Sequence, residues 1–266
     1  MSTPSEDRIA RLRELHADGT FVIPNAWDVA SAKLLEAGGA VALATTSAGF
    51  AATLGREDQR VTLDELVAHV ETLAGATSLP ISVDSEDCYA DGPEGIAETV
   101  QRLASAGAAG LSIEDWDAAT GAVRELDDAI ARVSAAVEAA REAGGLVVTA
   151  RAEGALYGTQ ELDEVIDRLV AYREVGADVL YAPGLTDAVQ IARVVAETGA
   201  PVNVLALPGG PTVAELIVLG VRRVSTGAGL AWIAYGAAVA AARDLARGRG
   251  IRGGIDRELR TRAFGD

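Results

Sequence analysis

One junction recurs along this 266-residue chain: a segment with a helical pattern ends in glycine, and an apolar run follows at once. Glycine is the expected residue just after a helix, because it readily takes the left-handed conformation that closes the last turn. Parallel strands that are covered by helices read as near-continuous apolar runs. The junction occurs at Gly39, Gly107, Gly144, Gly176, Gly199 and Gly220. Together with two further apolar runs it predicts eight strands, at 21–24, 40–45, 80–84, 109–113, 145–150, 178–182, 201–206 and 222–226.

Amphipathic helical patterns, such as those at 126–143 and 161–175, separate the predicted strands. Eight strand–helix repeats at this length favour an α/β fold, a single-domain (β/α)8 TIM barrel over residues 1–266. A short helix at 5–17 precedes the first strand. No Gly-x-Gly-x-x-Gly follows that strand, which disfavours a doubly wound dinucleotide-binding sheet. The segment 248–266 is predicted to be a helical tail or an arm that packs on another subunit.

Composition excludes several classes of function. The net charge of −16 argues against nucleic acid and anionic membranes as partners. No apolar run reaches the roughly 18 residues of a membrane span, so a cytoplasmic protein is expected. The single cysteine, Cys88, excludes an internal disulfide framework and a cysteine-based zinc site. Lys33 is the only lysine, and its ordinary helix position disfavours Schiff-base chemistry.

Acidic residues gather where predicted strands end. Asp84 and Glu86 stand at the end of the third strand, and Glu114 ends the fourth. In a barrel of this class the carboxyl ends of the strands form the active site. Carboxylates that share one spot repel each other unless a cation lies between them. The pattern therefore predicts a Mg²⁺ site, with Mn²⁺ as a possible substitute, because Mg²⁺ prefers oxygen ligands.

Arg151 follows the fifth strand and provides the positive charge for an anionic ligand. A 2-oxo acid could chelate the metal ion while Arg151 pairs with its carboxylate. The turn at Thr46, Ser47 and Ala48 would offer backbone N–H groups to the same ligand. Trp27 and Asn203 complete the predicted substrate-binding set. Two alternatives stay open: Arg151 could form a structural ion pair with Glu153 or Glu114, and Asn203 could satisfy backbone groups.

Seven segments in this order resemble the isocitrate lyase/phosphoenolpyruvate mutase superfamily. They are Asn25–Ala32, Thr46–Gly49 with Leu54-Gly55 and Asp58, Asp84-x-Glu86-x-x-Tyr89, Ser112–Asp115, Thr149-Ala150-Arg151-x-Glu153, Gly176–Asp178 and Pro201-x-Asn203. The resemblance implies a (β/α)8 barrel that forms a homodimer or homotetramer, often with a terminal helix swapped between subunits. It also implies Mg²⁺ held largely through waters at the positions of Asp84, Glu86 and Glu114, with Asp58 nearby.

The chain departs from the superfamily pattern in two places. The third-strand motif is commonly Asp-x-Asp-x-Gly-Tyr-Gly, whereas this chain has Glu86, Cys88 and Ala90. After Glu114 the isocitrate lyases carry a Lys-Lys-Cys-Gly-His gating loop, and the phosphonate mutases carry Lys-Lys-Asn. Residues 116–124 contain no lysine, cysteine, histidine or asparagine. The chain thus resembles a phosphonomutase-like member that lacks the general acid/base cysteine of the lyases.

Decarboxylation of a β-oxo acid needs the least help from a general acid, because the leaving group is CO₂. The sequence therefore predicts a Mg²⁺-dependent lyase that cleaves a C–C bond of a small 2-oxo acid, of the oxaloacetate type, through a metal-stabilised enolate. Arg151, Glu114 and Tyr89 are the predicted catalytic residues, with Arg124 as a second candidate proton source. Two other functions are considered: a phosphoenolpyruvate mutase-like or phosphonate P–C bond enzyme, and a non-catalytic barrel that binds a 2-oxo acid.

Overall fold

The computed structural model describes residues 4–251 and 253–265. Eight parallel strands form one sheet, and a short antiparallel hairpin lies outside it. The sheet strands are β1 Phe21–Ile23, β2 Leu43–Ala44, β3 Ile81–Asp84, β4 Gly110–Glu114, β7 Val147–Arg151, β8 Val179–Tyr181, β9 Val202–Leu205 and β10 Arg223–Ser225, and the hairpin strands are β5 Trp116–Asp117 and β6 Ala122–Val123.

The sheet curls into a barrel. Its strand order is β1-β10-β9-β8-β7-β4-β3-β2, so the first two strands lie at its two edges. A parallel bridge between Asn25 and Ala44 joins these edges. The Ala26 N–H donates to the Ala44 carbonyl at 2.7 Å, and the Ala44 N–H donates to the Pro24 carbonyl at 3.0 Å. The predicted (β/α)8 barrel is confirmed.

Helices connect the strands and cover the outside of the barrel. The predicted helices at 126–143 and 161–175 are observed with ends that differ by one residue. The helices are α1 Pro4–Ala17, α2 Val29–Ala37, α3 Ser47–Thr53, α4 Leu63–Ala76, α5 Pro93–Ser105, α6 Leu126–Glu142, α7 Gly154–Tyr157, α8 Leu162–Glu174, α9 Ala188–Thr198, α10 Val213–Val218, α11 Gly229–Ala246 and α12 Arg257–Phe264.

The second strand is shorter than the predicted 40–45. The strand itself comprises only Leu43 and Ala44, although the Thr45 N–H still donates to the Ser82 carbonyl at 3.0 Å. The Ala40 N–H instead donates to the Leu35 carbonyl at 3.0 Å and so still belongs to the end of α2. Apolar character alone could not separate this connecting segment from the strand that follows it.

Helix α1 closes the amino-terminal end of the barrel. Its Leu12 is fully buried against the start of β4, where a Cβ on Gly110 would lie 3.0 Å from Leu12 Cδ2 and 2.6 Å from the Val147 carbonyl oxygen. Only glycine permits this approach. Arg8 fixes the helix further by donating to the Thr77 carbonyl at 2.6 Å. The carboxyl ends of the strands are therefore the open end of the barrel.

The C-terminal helices differ in their packing. Helix α12 packs on α2, where Leu259 lies with Leu34 and Leu35 around a shallow surface depression. Helix α11 buries only Ala231, and Trp232 and Ile233 are 56% and 69% exposed. Residues 252 and 266 of the predicted tail lie outside the described residues. No helix in the described part of the chain is long and apolar enough to cross a membrane.

Candidate active site

Strand alternation aims the predicted site residues into the barrel. In β3, β4 and β7 the pairs Ser82/Asp84, Ser112/Glu114 and Thr149/Arg151 occupy alternate positions, so each pair projects to one face. The register sets Asp84 beside Ser112, and Glu114 beside Arg151. The polar residue that ends each strand therefore points into the open end of the barrel.

Arg151 lies among three carboxylates. Its Nη1 is 2.6 Å from Asp84 Oδ1, its Nη2 is 3.0 Å from Glu114 Oε2, and its Nε is 2.7 Å from Glu153 Oε1. Its guanidinium also lies 5.5 Å from the ring centroid of Tyr181. The carboxyl groups of Asp84 and Glu114 thus meet at one point. The sequence left open whether Arg151 forms a structural ion pair with Glu153 or Glu114. In the structure it pairs with both, and these ion pairs lie inside the candidate site.

Negative charge at this point exceeds positive charge. Burial raises the pKa of Glu86 to about 8, and the nearby Asp84 and Asp58 carboxylates act in the same direction. Burial also raises the pKa of Glu114 well above its usual range, although Arg151 opposes this. Desolvation and Asp84 raise the pKa of Asp58. Carboxyl groups that raise one another's pKa in this way are ones that a cation between them would stabilise in the charged form.

These acids fit a hydrated magnesium ion. Glu86 Oε1 is buried and has no hydrogen-bond partner, and all the side chains involved offer oxygen ligands. Within residues 4–251 and 253–265, no group of three or more His, Cys, Asp or Glu side chains is arranged so that it could hold a metal ion directly. Mg²⁺ does not need such a group, because it keeps several waters and binds through one or two carboxylates.

The turn before α3 contacts Asp84. The Ser47 N–H donates to Asp84 Oδ2 at 3.0 Å, and Thr46 accepts from the Gly49 N–H as the N-cap of α3. Close packing explains the glycine, because a Cβ on Gly49 would lie 2.5 Å from Thr46 Cγ2. The backbone group predicted to bind substrate at Ser47 therefore holds an acid of the site.

A cavity of about 180 Å³ opens at the same end of the barrel. Seven predicted site residues line it: Thr46, Ser47, Ala48, Asp58, Asp84, Arg151 and Asn203. Trp27, Glu86, Tyr89 and Glu114 are not among the lining residues. The ring centroids of Trp27 and Tyr235 lie 6.5 Å apart. Burial, with Glu86 and Asp84 nearby, raises the pKa of Tyr89 above its usual value.

The site contains further residues for which the sequence predicted no binding or catalytic role. Tyr181 and Arg223 line the cavity, and Gln59 Nε2 donates to Glu114 Oε1 at 3.0 Å. Arg223 could have been found from alternation, because it lies two residues before Ser225 and therefore on the same inward face of the last strand. Gln59 lies in an irregular loop, for which the sequence carries no such signal.

A hairpin stands where the lyases carry their gating loop. Trp116 in β5 stacks on Tyr157 with ring centroids 3.6 Å apart. Arg124, just after β6, pairs with Asp87 at 2.9 Å and lies 3.7 Å from Asp117. These ion pairs occupy the guanidinium that the sequence offered as a proton source. Burial raises the pKa of the nearby Cys88 thiol to about 12, so this thiol is not an alternative acid at neutral pH.

An eight-stranded parallel barrel with converging acids and an arginine at its carboxyl ends defines a TIM-barrel enzyme. The sequence model of the phosphoenolpyruvate phosphomutase family matches residues 12–246, and the chain belongs to this family.

Solved structures and a curated relative agree with this family assignment. A protein from Burkholderia cenocepacia J2315 is 42% identical, with a TM-score of 0.93 over 99% of both chains. A 2,3-dimethylmalate lyase of the PEP mutase/isocitrate lyase superfamily is 27% identical, with a TM-score of 0.85 over 100% of this chain and 95% of its own. The oxaloacetate decarboxylase of Bradyrhizobium sp. (strain ORS 278) is 35% identical over 67% of this chain and 62% of its own length. The chain is therefore an enzyme of the superfamily that contains these lyases and mutases.

Proposed function

We propose that the chain is a Mg²⁺-dependent lyase that cleaves a C–C bond of a small 2-oxo carboxylic acid, acting as a decarboxylase on an oxaloacetate-type substrate. The observation that carries this proposal is the contact of Asp84 and Glu114 with one guanidinium beside a cavity. A guanidinium and an excess of acids, side by side, suit a metal ion and an organic anion bound together.

Asp84, Glu86 and Glu114 would hold the ion, with Asp58 close by. When bound, Mg²⁺ supplies Lewis-acid polarisation of the substrate carbonyl. The Ser47 N–H keeps Asp84 in place through its 3.0 Å hydrogen bond. Gln59 keeps Glu114 in place through a second hydrogen bond, from Nε2 to Glu114 Oε1.

Arg151 would bind the carboxylate of the 2-oxo acid end. Each of its three nitrogens contacts an acid, so a substrate carboxylate competes with these acids for the guanidinium and pairs with it better when one of them is engaged elsewhere. Metal binding and substrate binding are therefore expected to support each other. The Tyr181 ring, 5.5 Å from the guanidinium, limits its position on one side.

The reaction needs little proton transfer from the protein. The bond between C3, the carbon next to the 2-oxo group, and the departing C4 carboxylate breaks, its electron pair forms the enolate of the C2 carbonyl, and CO₂ leaves. The enolate carbon then takes a proton from water. A positioned general acid typically contributes on the order of 10²–10⁴ in rate, and the hairpin of this chain has no cysteine or lysine to provide one. Tyr89 stays the side chain predicted to donate this proton in place of water.

The oxaloacetate decarboxylase relative supports this reaction among those of the superfamily, with the match limited to part of both chains. The absence of lysine from residues 116–124 leaves a phosphono group without its usual cationic contacts. We therefore consider cleavage of a phosphonate P–C bond a weaker proposal than decarboxylation.

The test is pyruvate formation from oxaloacetate. The purified protein with Mg²⁺ should produce pyruvate faster than Mg²⁺ alone, and chelation of the metal should abolish the difference. Asp84→Asn should lower kcat/KM by roughly 10²–10³, as expected for a lost electrostatic contact to the reacting group. Asp91→Asn is the matched control, because this exposed acid lies in the loop after the site.

Two outcomes would contradict the proposal. If Asp84→Asn and Asp91→Asn have equal activities, Asp84 is not part of the site. If oxaloacetate and Mg²⁺ raise the melting temperature of the wild type without any turnover, the barrel binds a 2-oxo acid and does not act on it.

A further inference from the structure

Arg223 in β10 is a buried arginine without an acidic partner. It is 4% exposed, its Nε donates to Asn203 Oδ1 at 2.9 Å, and its Nη2 donates to Thr149 Oγ1 at 3.0 Å. Its Nη1 is buried and has no hydrogen-bond partner in the described residues. Within the described residues, no carboxylate forms an ion pair with Arg223.

Other buried arginines of this chain do have acidic partners. Arg168 lies 3.2 Å from Asp115, Arg132 lies 3.6 Å from Asp87, and Arg151 contacts three carboxylates. An unpaired charge in a protein interior costs several kcal/mol. Burial lowers the pKa of Arg223 to about 10, and at neutral pH the guanidinium therefore still carries its charge. An uncompensated cation in this position is suited to bind an anionic ligand.

The guanidinium lies at the floor of the active-site cavity. Its partner Thr149 belongs to β7, three strands away in the sheet, so the side chain crosses the interior of the barrel to reach it. Arg223 lines the cavity together with Ser82, Ser112 and Ser225. Bulky branched residues normally fill the interior of a TIM barrel, whereas these positions are small and polar.

The separation of Thr149, which holds the Arg223 guanidinium, from Arg151 suits a small diacid. Thr149 and Arg151 are two residues apart on one face of β7, which corresponds to roughly 6–7 Å along the strand. A ligand that contacts Arg151 with one end can thus extend a second group toward the guanidinium that Thr149 holds. Among residues 4–251 and 253–265, no acid forms an ion pair with the guanidinium at that second position.

We propose that Arg223 is the binding site for the second carboxylate of the substrate, so that the cavity selects 2-oxo dicarboxylates over 2-oxo monocarboxylates. This inference rests on the proposed function. For an oxaloacetate-type substrate the second carboxylate is the group that leaves as CO₂. Its pairing with Arg223 is therefore lost as the bond breaks, and Arg223 stabilises bound substrate more than the transition state.

The test compares pyruvate with oxaloacetate, which differ by one carboxylate. With Mg²⁺ present, we expect the wild type to bind oxaloacetate at least about tenfold more tightly than pyruvate, the effect of one charged hydrogen bond. Arg223→Met should raise the KM of oxaloacetate by at least about tenfold, change the inhibition constant of pyruvate less than about twofold, and leave kcat undiminished. If oxaloacetate is not turned over, its dissociation constant from calorimetry replaces KM.

Two further variants make the comparison specific. Arg222→Met is the matched control, because Arg222 contacts the Gly19 carbonyl on the other face of the strand, and both constants should stay unchanged. Asn203→Asp places a carboxylate beside Arg223 Nε and should remove the preference for the diacid while pyruvate still binds. Arg223→Met should fold, since exchanging a buried charge for an apolar side chain is often neutral or stabilising.

The outcomes separate this inference from the proposed function. If the wild type binds pyruvate and oxaloacetate equally, or if Arg223→Met weakens both alike, Arg223 does not bind the second carboxylate. If the wild type binds neither acid in the presence of Mg²⁺, the proposed 2-oxo acid site is wrong, and the inference fails with it.

Discussion

At the scale of single residues, ionisable groups in this protein follow two patterns. Those at the open end of the barrel lie together, as Arg151 does with Asp84 and Glu114. His16 and His69, which lie elsewhere, are held neutral: Nε2 of each is buried and has no hydrogen-bond partner in the described chain, and burial lowers the pKa of both imidazoles. The first pattern concerns ligand binding, and the second makes folding stability depend on pH.

His16 should make the fold sensitive to acid. Burial, with smaller contributions from nearby arginines, lowers the pKa of His16 from 6.5 to about 3. Below pH 6.5 the unfolded chain binds a proton at this residue and the folded chain does not, so the free energy of unfolding falls as the pH falls. Relative to His16→Gln, the wild type should lose up to about 1.4 kcal/mol per pH unit between pH 6 and 4.

Urea unfolding of both proteins at several pH values measures this difference. Other titrating groups are shared by the two proteins and cancel in the comparison. A constant difference in the free energy of unfolding across this range would show that His16 takes up its proton in the folded state.

At the scale of structural elements, the β5–β6 hairpin is the part in which this chain differs from the gating loops of the lyases. Two residues pair in each strand, which is too short for stability on its own. The Trp116–Tyr157 stack and the ion pair of Arg124 with Asp87 attach it to the barrel. The hairpin is therefore held by contacts of its residues with Tyr157 and Asp87, which lie outside it.

Trp116→Ala should loosen the hairpin without unfolding the barrel. An aromatic pair contributes about 0.5–1.5 kcal/mol beyond its buried area, which corresponds to roughly twofold to tenfold faster amide exchange. We expect this increase at residues 116–124 in hydrogen–deuterium exchange, with unchanged exchange in β4 and β7. Trp232→Ala, which removes an exposed tryptophan of α11, is the control. Equal exchange in the two variants would mean that the stack does not hold the hairpin.

At the scale of the whole molecule, the strand–helix repeats and the charged residues at strand ends were the features that could be predicted from the sequence. Six glycine junctions and two further apolar runs located the eight strands, because each junction marks the end of a helix and the start of a buried run. Asp84 and Glu114 do end their strands, and barrel geometry brings those ends together, whereas Glu86 lies beyond the end of β3. Arg223 was missed because a charged residue within a buried strand reads as an interruption, and the hairpin was missed because two-residue strands leave no pattern. The homodimer or homotetramer stays a prediction, and the exposed apolar face of α11 is compatible with it.

The central claim is that a metal ion and an organic anion bind together, with the ion engaging acids that otherwise occupy Arg151. Calorimetric titration with oxalate, a small rigid dianion, tests it directly when the protein is saturated with Mg²⁺ and again after the metal is removed. We predict at least about tenfold tighter binding with Mg²⁺, a coupling of about 1.4 kcal/mol or more, and loss of this difference in Asp84→Asn. Equal affinity for oxalate with and without Mg²⁺ would contradict the account.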